Sequence, residues 1–99
     1  MEAGNTKATD YDHETVIEVK NKMGVHARPA AMIVRVANRF KSDIYFEKDQ
    51  EVVDGKSIMG LMMLAAGQGS KLRLSASGDD ATDACKALEE LFEGKFEED

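Results

Sequence analysis

The chain has 99 residues, of which 42% are hydrophobic and 32% are charged, with one cysteine and a formal net charge of −6 at neutral pH. This length accommodates one domain with a modest core, and the composition is that of an ordinary globular protein. No apolar run is long enough to cross a bilayer, one cysteine cannot form an internal disulfide, and the net acidity argues against nucleic acid as a ligand. We therefore expect a cytoplasmic protein that binds neither nucleic acid nor membranes.

The negative charge is concentrated at the two ends of the chain. Residues 1–14 carry a net charge of −3 and residues 89–99 a net charge of −5, whereas the segment between them carries +2. Residues 1–14 are polar and show no periodicity, so we predict a disordered N-terminal extension there and a single domain over residues 15–99. The basic middle of the chain favours acidic protein partners or phosphate groups.

The first half of the domain predicts a strand, a helix and a hairpin. Thr15 to Lys20 alternates apolar and polar side chains, which is typical of a half-buried strand. Pro29 is suited to the first turn of a helix, and the apolar residues after it recur every three or four positions, which predicts a helix from about Ala27 to Phe40. The segments 43–47 and 51–54 are predicted to form two strands joined by a tight turn.

The second half predicts a short helix, a strand and a closing helix. Ser57 is a favourable N-cap for a helix that begins at Ile58. Lys71 to Ser77 shows the clearest alternation in the chain. Residues 81–92 form an amphipathic pattern with Cys85 on its apolar side, and Gly94 and the acids after it are predicted to end the ordered part. The order βαββαβα with alternating strands predicts an α+β fold, in which one antiparallel sheet carries helices on one face.

The residues best suited to binding an anion or carrying out chemistry lie just before Pro29. His26 falls at or before the first turn of the predicted helix, where free N–H groups and the positive end of the helix dipole favour anions. Arg28 adds a planar cation suited to phosphate oxygens, and imidazole is a nucleophile that can be phosphorylated. On these residues alone, the simpler alternative is that His26 caps the helix and that Arg28 is a solvated charge.

The short helix after Ser57 is more apolar than one buried face requires. Its apolar residues are Ile58, Met59, Leu61, Met62 and Met63. Exposed methionine adapts to partners of different shape, so we expect part of this set to be core and part to form a docking surface.

Two motifs together resemble the HPr family, the small histidine phosphocarriers of the bacterial phosphoenolpyruvate-dependent phosphotransferase system. They are the segment Gly-Val-His-Ala-Arg-Pro-Ala at 24–30 and the segment Lys-Ser-Ile-Met-Gly at 56–60. The order of predicted elements agrees, and the resemblance covers about Thr15 to Phe92. It implies an open-faced two-layer sandwich whose four strands are ordered 1-4-2-3.

The resemblance also implies roles for individual residues. His26 matches the histidine that accepts a phosphoryl group on its Nδ1 from enzyme I and passes it to a IIA-type protein. Arg28 matches the arginine that steadies this group, and Ser57 matches the serine that an HPr kinase modifies in some bacteria. The predicted partner-docking residues are Ala27, Ile58, Met59 and Met62. Such a carrier is expected to be a monomer without metal or cofactor, whose partner enzymes perform the turnover.

Two questions stay open at this stage. The segment 21–24 and the C-terminal end resemble the nitrogen-branch relative NPr, whereas the segment 56–60 resembles the kinase-regulated members, so the branch is undecided. The alternative function is a regulatory binding module without sugar transport, whose surface is switched at Ser57. A histidine-dependent hydrolase has little support, since no signal for a deep pocket is present.

Overall fold

The computed structural model describes residues 11–98. Its elements are β1 (His13–Glu18), α1 (Ala27–Ala37), β2 (Asp43–Lys48), β3 (Glu51–Asp54), α2 (Ile58–Met63), β4 (Lys71–Ser77), α3 (Ala81–Glu93) and a single 3-10 turn (Lys95–Glu97). The predicted order is confirmed through α3. Among residues 11–98, no helix is long and apolar enough to span a membrane.

The four strands form one antiparallel sheet in the order β1-β4-β2-β3, as predicted. The central strand β4 places Leu72 opposite Ile17 of β1 and Leu74 opposite Phe46 of β2. These four side chains are buried and belong to the core beneath the helices, which confirms the predicted two-layer sandwich. On the open face, Arg73 makes ion pairs to carboxylates on both neighbouring strands, at 3.5 and 3.6 Å.

The core lies between the sheet and the buried sides of α1 and α3. The two helices bury Pro29, Ala30, Ile33, Ala37, Ala81, Ala84, Cys85, Leu88 and Phe92. The prediction that Cys85 is a core residue is confirmed, and burial, together with the nearby charge of Glu89, raises the pKa of its thiol to about 11. Three rings meet at one end of this core. Phe92 lies 5.9 Å from Phe46 and 4.8 Å from Phe96, measured between ring centroids.

The first helix ends earlier than the sequence predicted, at Ala37 rather than Phe40. Asn38 still donates its N–H to the carbonyl oxygen of Val34, but Phe40 donates to Ala37 in a tight turn. Lys56 Nζ donates to the carbonyl oxygen of Phe40 at 2.9 Å, so a cation satisfies a carbonyl just beyond the end of the helix. The apolar spacing continued past the helix because Phe40 packs against the core from the turn.

The first strand begins earlier than predicted. His13 and Glu14 were assigned to the disordered extension, but both belong to β1 and pair with Ala76 and Ser75 of β4. The side chain of Asp12 holds this end of the strand, since its Oδ2 accepts the N–H of Gly78 at 2.8 Å. The rest of the predicted extension, residues 1–10, lies outside the described residues.

The loop before α1 is fixed by a close approach between two backbones. Gly24 has a φ of +71°, and a Cβ at this position would lie 2.5 Å from the carbonyl oxygen of Ala66. The next residue, Val25, donates its N–H to that same oxygen at 2.9 Å. Only glycine combines a left-handed backbone with so close a contact. The loop that follows α2 thus determines where the chain enters α1.

We predict that Gly24→Ala destabilises the protein by about 2–3 kcal/mol, because the added methyl group meets backbone atoms and the left-handed conformation becomes strained. Gly67→Ala is the matched control, since a Cβ there meets no atom within 4 Å. We expect it to change stability by less than about 0.5 kcal/mol. Urea unfolding of both variants measures the difference, and equal stabilities would contradict the importance of the close approach.

Candidate functional site

His26 is the N-cap residue of α1, at the position the sequence predicted. Its carbonyl oxygen accepts the N–H of Ala30 at 3.0 Å, and its own N–H donates to the carbonyl of Gly24 at 3.0 Å. Its side chain makes no capping hydrogen bond. The first N–H groups of a helix have no acceptor within the helix, so this end of α1 keeps donors for another group. The side chain of His26 is 33% exposed, so its imidazole ring is accessible from solvent.

A carboxylate from the far end of the chain lies against this ring. Glu98 Oε2 is 2.8 Å from His26 Nε2 and 3.3 Å from Arg28 Nη1. The same Nη1 donates to the carbonyl oxygen of Phe96 at 2.9 Å. The structure thus brings His26 and Arg28 together around one anionic group. An oxyanion at this place is held by a cation and lies beside a helix N-terminus, which is a favourable electrostatic setting.

Asn21 binds the other oxygen of the same carboxylate. Its Nδ2 donates to Glu98 Oε1 at 2.9 Å and to the carbonyl of Gly24 at 2.8 Å. The residue is fully buried, and its Oδ1 has no donor within the described part of the chain. The hydrogen bond from Asn21 is the main reason that the pKa of the Glu98 carboxyl lies below its usual range; the contacts with His26 and Arg28 act in the same direction, and desolvation opposes them. Glu98 is therefore ionised at neutral pH.

Glu98 is the last residue of a short segment, residues 94–98, which we call the C-terminal strap. Lys95, Phe96 and Glu97 have φ values of 55°, 55° and 61°. A left-handed backbone costs roughly 1–2 kcal/mol for each non-glycine residue, so other contacts must offset this conformational free energy. Phe96 provides such contacts, since its side chain is fully buried and its ring packs edge-on against Phe92. The expectation that order ends at Gly94 was wrong, because Phe96 anchors the chain beyond it.

The second predicted motif lies on α2, which packs against α1. Ser57 is its N-cap, as predicted, and its Oγ accepts the N–H of Gly60 at 3.0 Å. The apolar residues of α2 divide as expected, with Leu61 buried. The exposed members, with their exposed fractions, are Ile58 (43%), Met59 (73%), Met62 (45%) and Met63 (63%). We call these four residues the α2 patch. Ala27, the remaining predicted docking residue, is exposed at the start of α1.

Sequence reasoning missed Asn21, Phe96 and Glu98. Glu98 is separated from His26 by 72 positions, so no local pattern connects them. One signal was present, since Phe96 is a large apolar residue within an acidic ending and such a residue is usually buried. Within residues 11–98, no three His, Cys, Asp or Glu side chains are grouped so that they could hold a metal ion.

Comparison with known proteins finds relatives in one family. Residues 13–94 match the family model described as "PTS HPr component phosphorylation site". The chain is 52% identical over 83 residues to the phosphocarrier protein HPr of Treponema pallidum, covering 84% of this chain and 94% of that protein. It is 53% identical over 75 residues to the HPr-like protein Crh of Halalkalibacterium halodurans, covering 76% of this chain and 89% of that protein.

A solved structure shows the same fold. The crystal structure of HPr-C-His from Thermoanaerobacter tengcongensis superimposes with a TM-score of 0.85 at 53% sequence identity, covering 88% of this chain and 98% of that one. The match to the family model spans both motifs, the whole sheet and the three helices. The chain belongs to the HPr family of phosphocarrier proteins.

Proposed function

We propose that this protein accepts a phosphoryl group on Nδ1 of His26 from enzyme I and passes it to a IIA-type protein of the phosphoenolpyruvate-dependent phosphotransferase system. The observation that carries the proposal is the arrangement of His26 and Arg28 around an anion at the open start of α1. Membership of the HPr family supports it. In this proposal the protein is a carrier and not an enzyme, and it works without metal or cofactor.

The exposure of the site suits a carrier. A phosphoryl group that must be handed on has to be held loosely, because tight ground-state binding would raise the barrier to its release. The side chain of Arg28 is half exposed, at 50%, and its contact with Glu98 is the longer of its two hydrogen bonds. Arg28 can therefore exchange the carboxylate for phosphoryl oxygens, while the N–H groups at the start of α1 supply further donors.

The partner-docking surface in this proposal joins Ala27 to three residues of the α2 patch, Ile58, Met59 and Met62. These side chains are exposed, and α2 packs against α1, the helix that begins at His26. Flexible thioether side chains repack against surfaces of different shape, as a protein that serves both a donor and several acceptors requires. We propose that the protein acts as a cytoplasmic monomer, so that this surface is open to each partner in turn.

A second candidate function is a regulatory binding module without sugar transport. It is favoured by the similarity to Crh, which is described in Bacillus subtilis as the catabolite repression HPr, and by the place of Ser57, which caps α2 next to the exposed patch. In this alternative, a kinase that modifies Ser57 switches the docking surface, and His26 is not required. Regulation at Ser57 is also compatible with the carrier function, so only phosphorylation of His26 distinguishes the two.

We predict that His26→Ala abolishes phosphoryl acceptance from phosphoenolpyruvate and enzyme I without unfolding the protein. The ring makes no capping bond and lies outside the core, so its loss leaves the apolar contacts of α1 unchanged. His13→Ala is the control, since it removes the other histidine of the chain from β1. Acid-labile phosphate is the quantity measured. Acceptance that survives in His26→Ala would exclude His26 as the acceptor, whereas a wild-type protein that accepts no phosphoryl group would favour the regulatory module.

We predict that Arg28→Lys slows phosphoryl acceptance by about tenfold without abolishing it. Lysine keeps the charge but loses the planar guanidinium, whose several N–H groups can donate to two phosphoryl oxygens at once. Arg35→Lys, in the last turn of the same helix, is the matched control. Rapid-quench kinetics with enzyme I compares the three proteins. A rate for Arg28→Lys equal to that of the control would mean that Arg28 supplies only background charge.

We predict that Ser57→Asp weakens association with enzyme I by about tenfold at low salt, with little change in melting temperature. Aspartate is itself a good N-cap, so α2 keeps its first turn, but a negative charge now lies beside the α2 patch. High salt should reduce the effect because it screens the charge. Thr82→Asp is the control, since it adds the same charge to the first turn of α3. Unchanged affinity at both salts would exclude Ser57 from the docking surface.

A further inference from the structure

The carboxylate of Glu98 is surrounded by hydrogen-bond donors. Asn21 Nδ2 donates to Oε1, and Arg28 Nη1 donates to Oε2. An ionised carboxylate only accepts hydrogen bonds, so the remaining contact, between Oε2 and His26 Nε2 at 2.8 Å, requires a hydrogen on Nε2. When the neutral ring carries its hydrogen on Nε2, its lone pair lies on Nδ1.

We propose that Glu98 is a positioning residue that holds the hydrogen of His26 on Nε2 and so keeps Nδ1 ready as the nucleophile. This inference rests on the proposed function, in which Nδ1 accepts the phosphoryl group, and it assigns to the C-terminal strap a role in that reaction. The logic is that of a carboxylate that orients a catalytic imidazole and fixes its tautomer.

The chemical step requires no proton transfer at the ring when Nε2 already carries the hydrogen. The bond between phosphorus and Nδ1 forms as the bond between phosphorus and the donor atom of enzyme I breaks, and the electron pair of the broken bond stays on that donor atom. The hydrogen on Nε2 remains in place, so the phosphorylated ring is positively charged and faces the carboxylate of Glu98 at close range. In the onward step the ring leaves as a neutral imidazole, which is a better leaving group than an imidazolate.

The strap itself supports a functional role. Three consecutive residues adopt a left-handed backbone, and such strain persists only where surrounding contacts compensate for it. The strap residues 95–98 also lie beyond residue 94, where the match to the family model ends. A buried phenylalanine and a buried asparagine thus hold one carboxylate against His26. Glu97, the neighbouring acid, is exposed and forms no ion pair among the described residues.

The test is Glu98→Gln, observed by nitrogen-15 NMR of the imidazole in the unphosphorylated protein. Glutamine has one acceptor oxygen for the donors that the carboxylate now serves. When the glutamine oxygen accepts the hydrogen bond from Asn21, the glutamine NH₂ group faces His26 and donates to Nε2. The ring hydrogen must then lie on Nδ1. We expect the ratio of the Nε2–H to the Nδ1–H tautomer to fall by about tenfold, since hydrogen bonds to ionised groups are the stronger class. The rate constant for phosphoryl transfer from enzyme I should fall with it, at unchanged KM for enzyme I.

Two further variants make the result specific. Glu97→Gln removes the same charge one residue away and should leave both the tautomer and the transfer rate unchanged. Glu98→Ala removes the carboxylate without supplying a new donor, so its tautomer ratio should return to that of a histidine in an unstructured peptide. An unchanged tautomer in Glu98→Gln, or an equal change in Glu97→Gln, would overturn the inference. If the wild-type protein accepts no phosphoryl group, the proposed function fails, while the tautomer measurement still tests the role of Glu98.

Discussion

The contact between Gly24 and Ala66 determines where the chain enters α1, and the geometry of the site depends on it. The left-handed backbone at Gly24 brings the loop against the carbonyl of Ala66, and Val25 donates to that oxygen. His26 then becomes the N-cap of α1 with its side chain unused by the helix. A histidine one residue later would lie within the first turn, and the donors at the start of the helix would be arranged differently around it.

At this end of α1, side chains from distant parts of the sequence lie close together. Asn21 comes from the loop after β1, Arg28 from the first turn of α1, and Glu98 from the C-terminal strap. Each interaction depends on the others, since Asn21 and Arg28 keep the carboxylate ionised and the carboxylate orients the imidazole ring of His26. A phosphoryl group that binds Arg28 would therefore replace a carboxylate of the protein itself, that of Glu98. In our account, the resting site is held in order by an internal carboxylate that also prepares the nucleophile.

Most of the fold could be predicted from the sequence because its signals are local. Alternation in β4, the apolar period of α1 and the hydroxyl of Ser57 each indicate their structure within a few residues, and the structure confirms them. The end of α1 was missed because Phe40 continues the apolar spacing from a turn. The strap was missed for a different reason. Left-handed backbone at Lys95 and Glu97 has no sequence signal, and the partner of Glu98 is 72 positions away.

We propose that the phosphoryl group is bonded to Nδ1 of His26 at the start of α1. The most direct test is NMR of the nitrogen-15-labelled protein after phosphorylation by phosphoenolpyruvate and enzyme I, with phosphorus-31 coupling used to identify the bonded nitrogen. Our account predicts coupling to Nδ1 of His26, together with altered backbone amide signals of Ala27 and Arg28 at the helix start. Coupling to Nε2, or phosphorus bonded to any other residue, would contradict it.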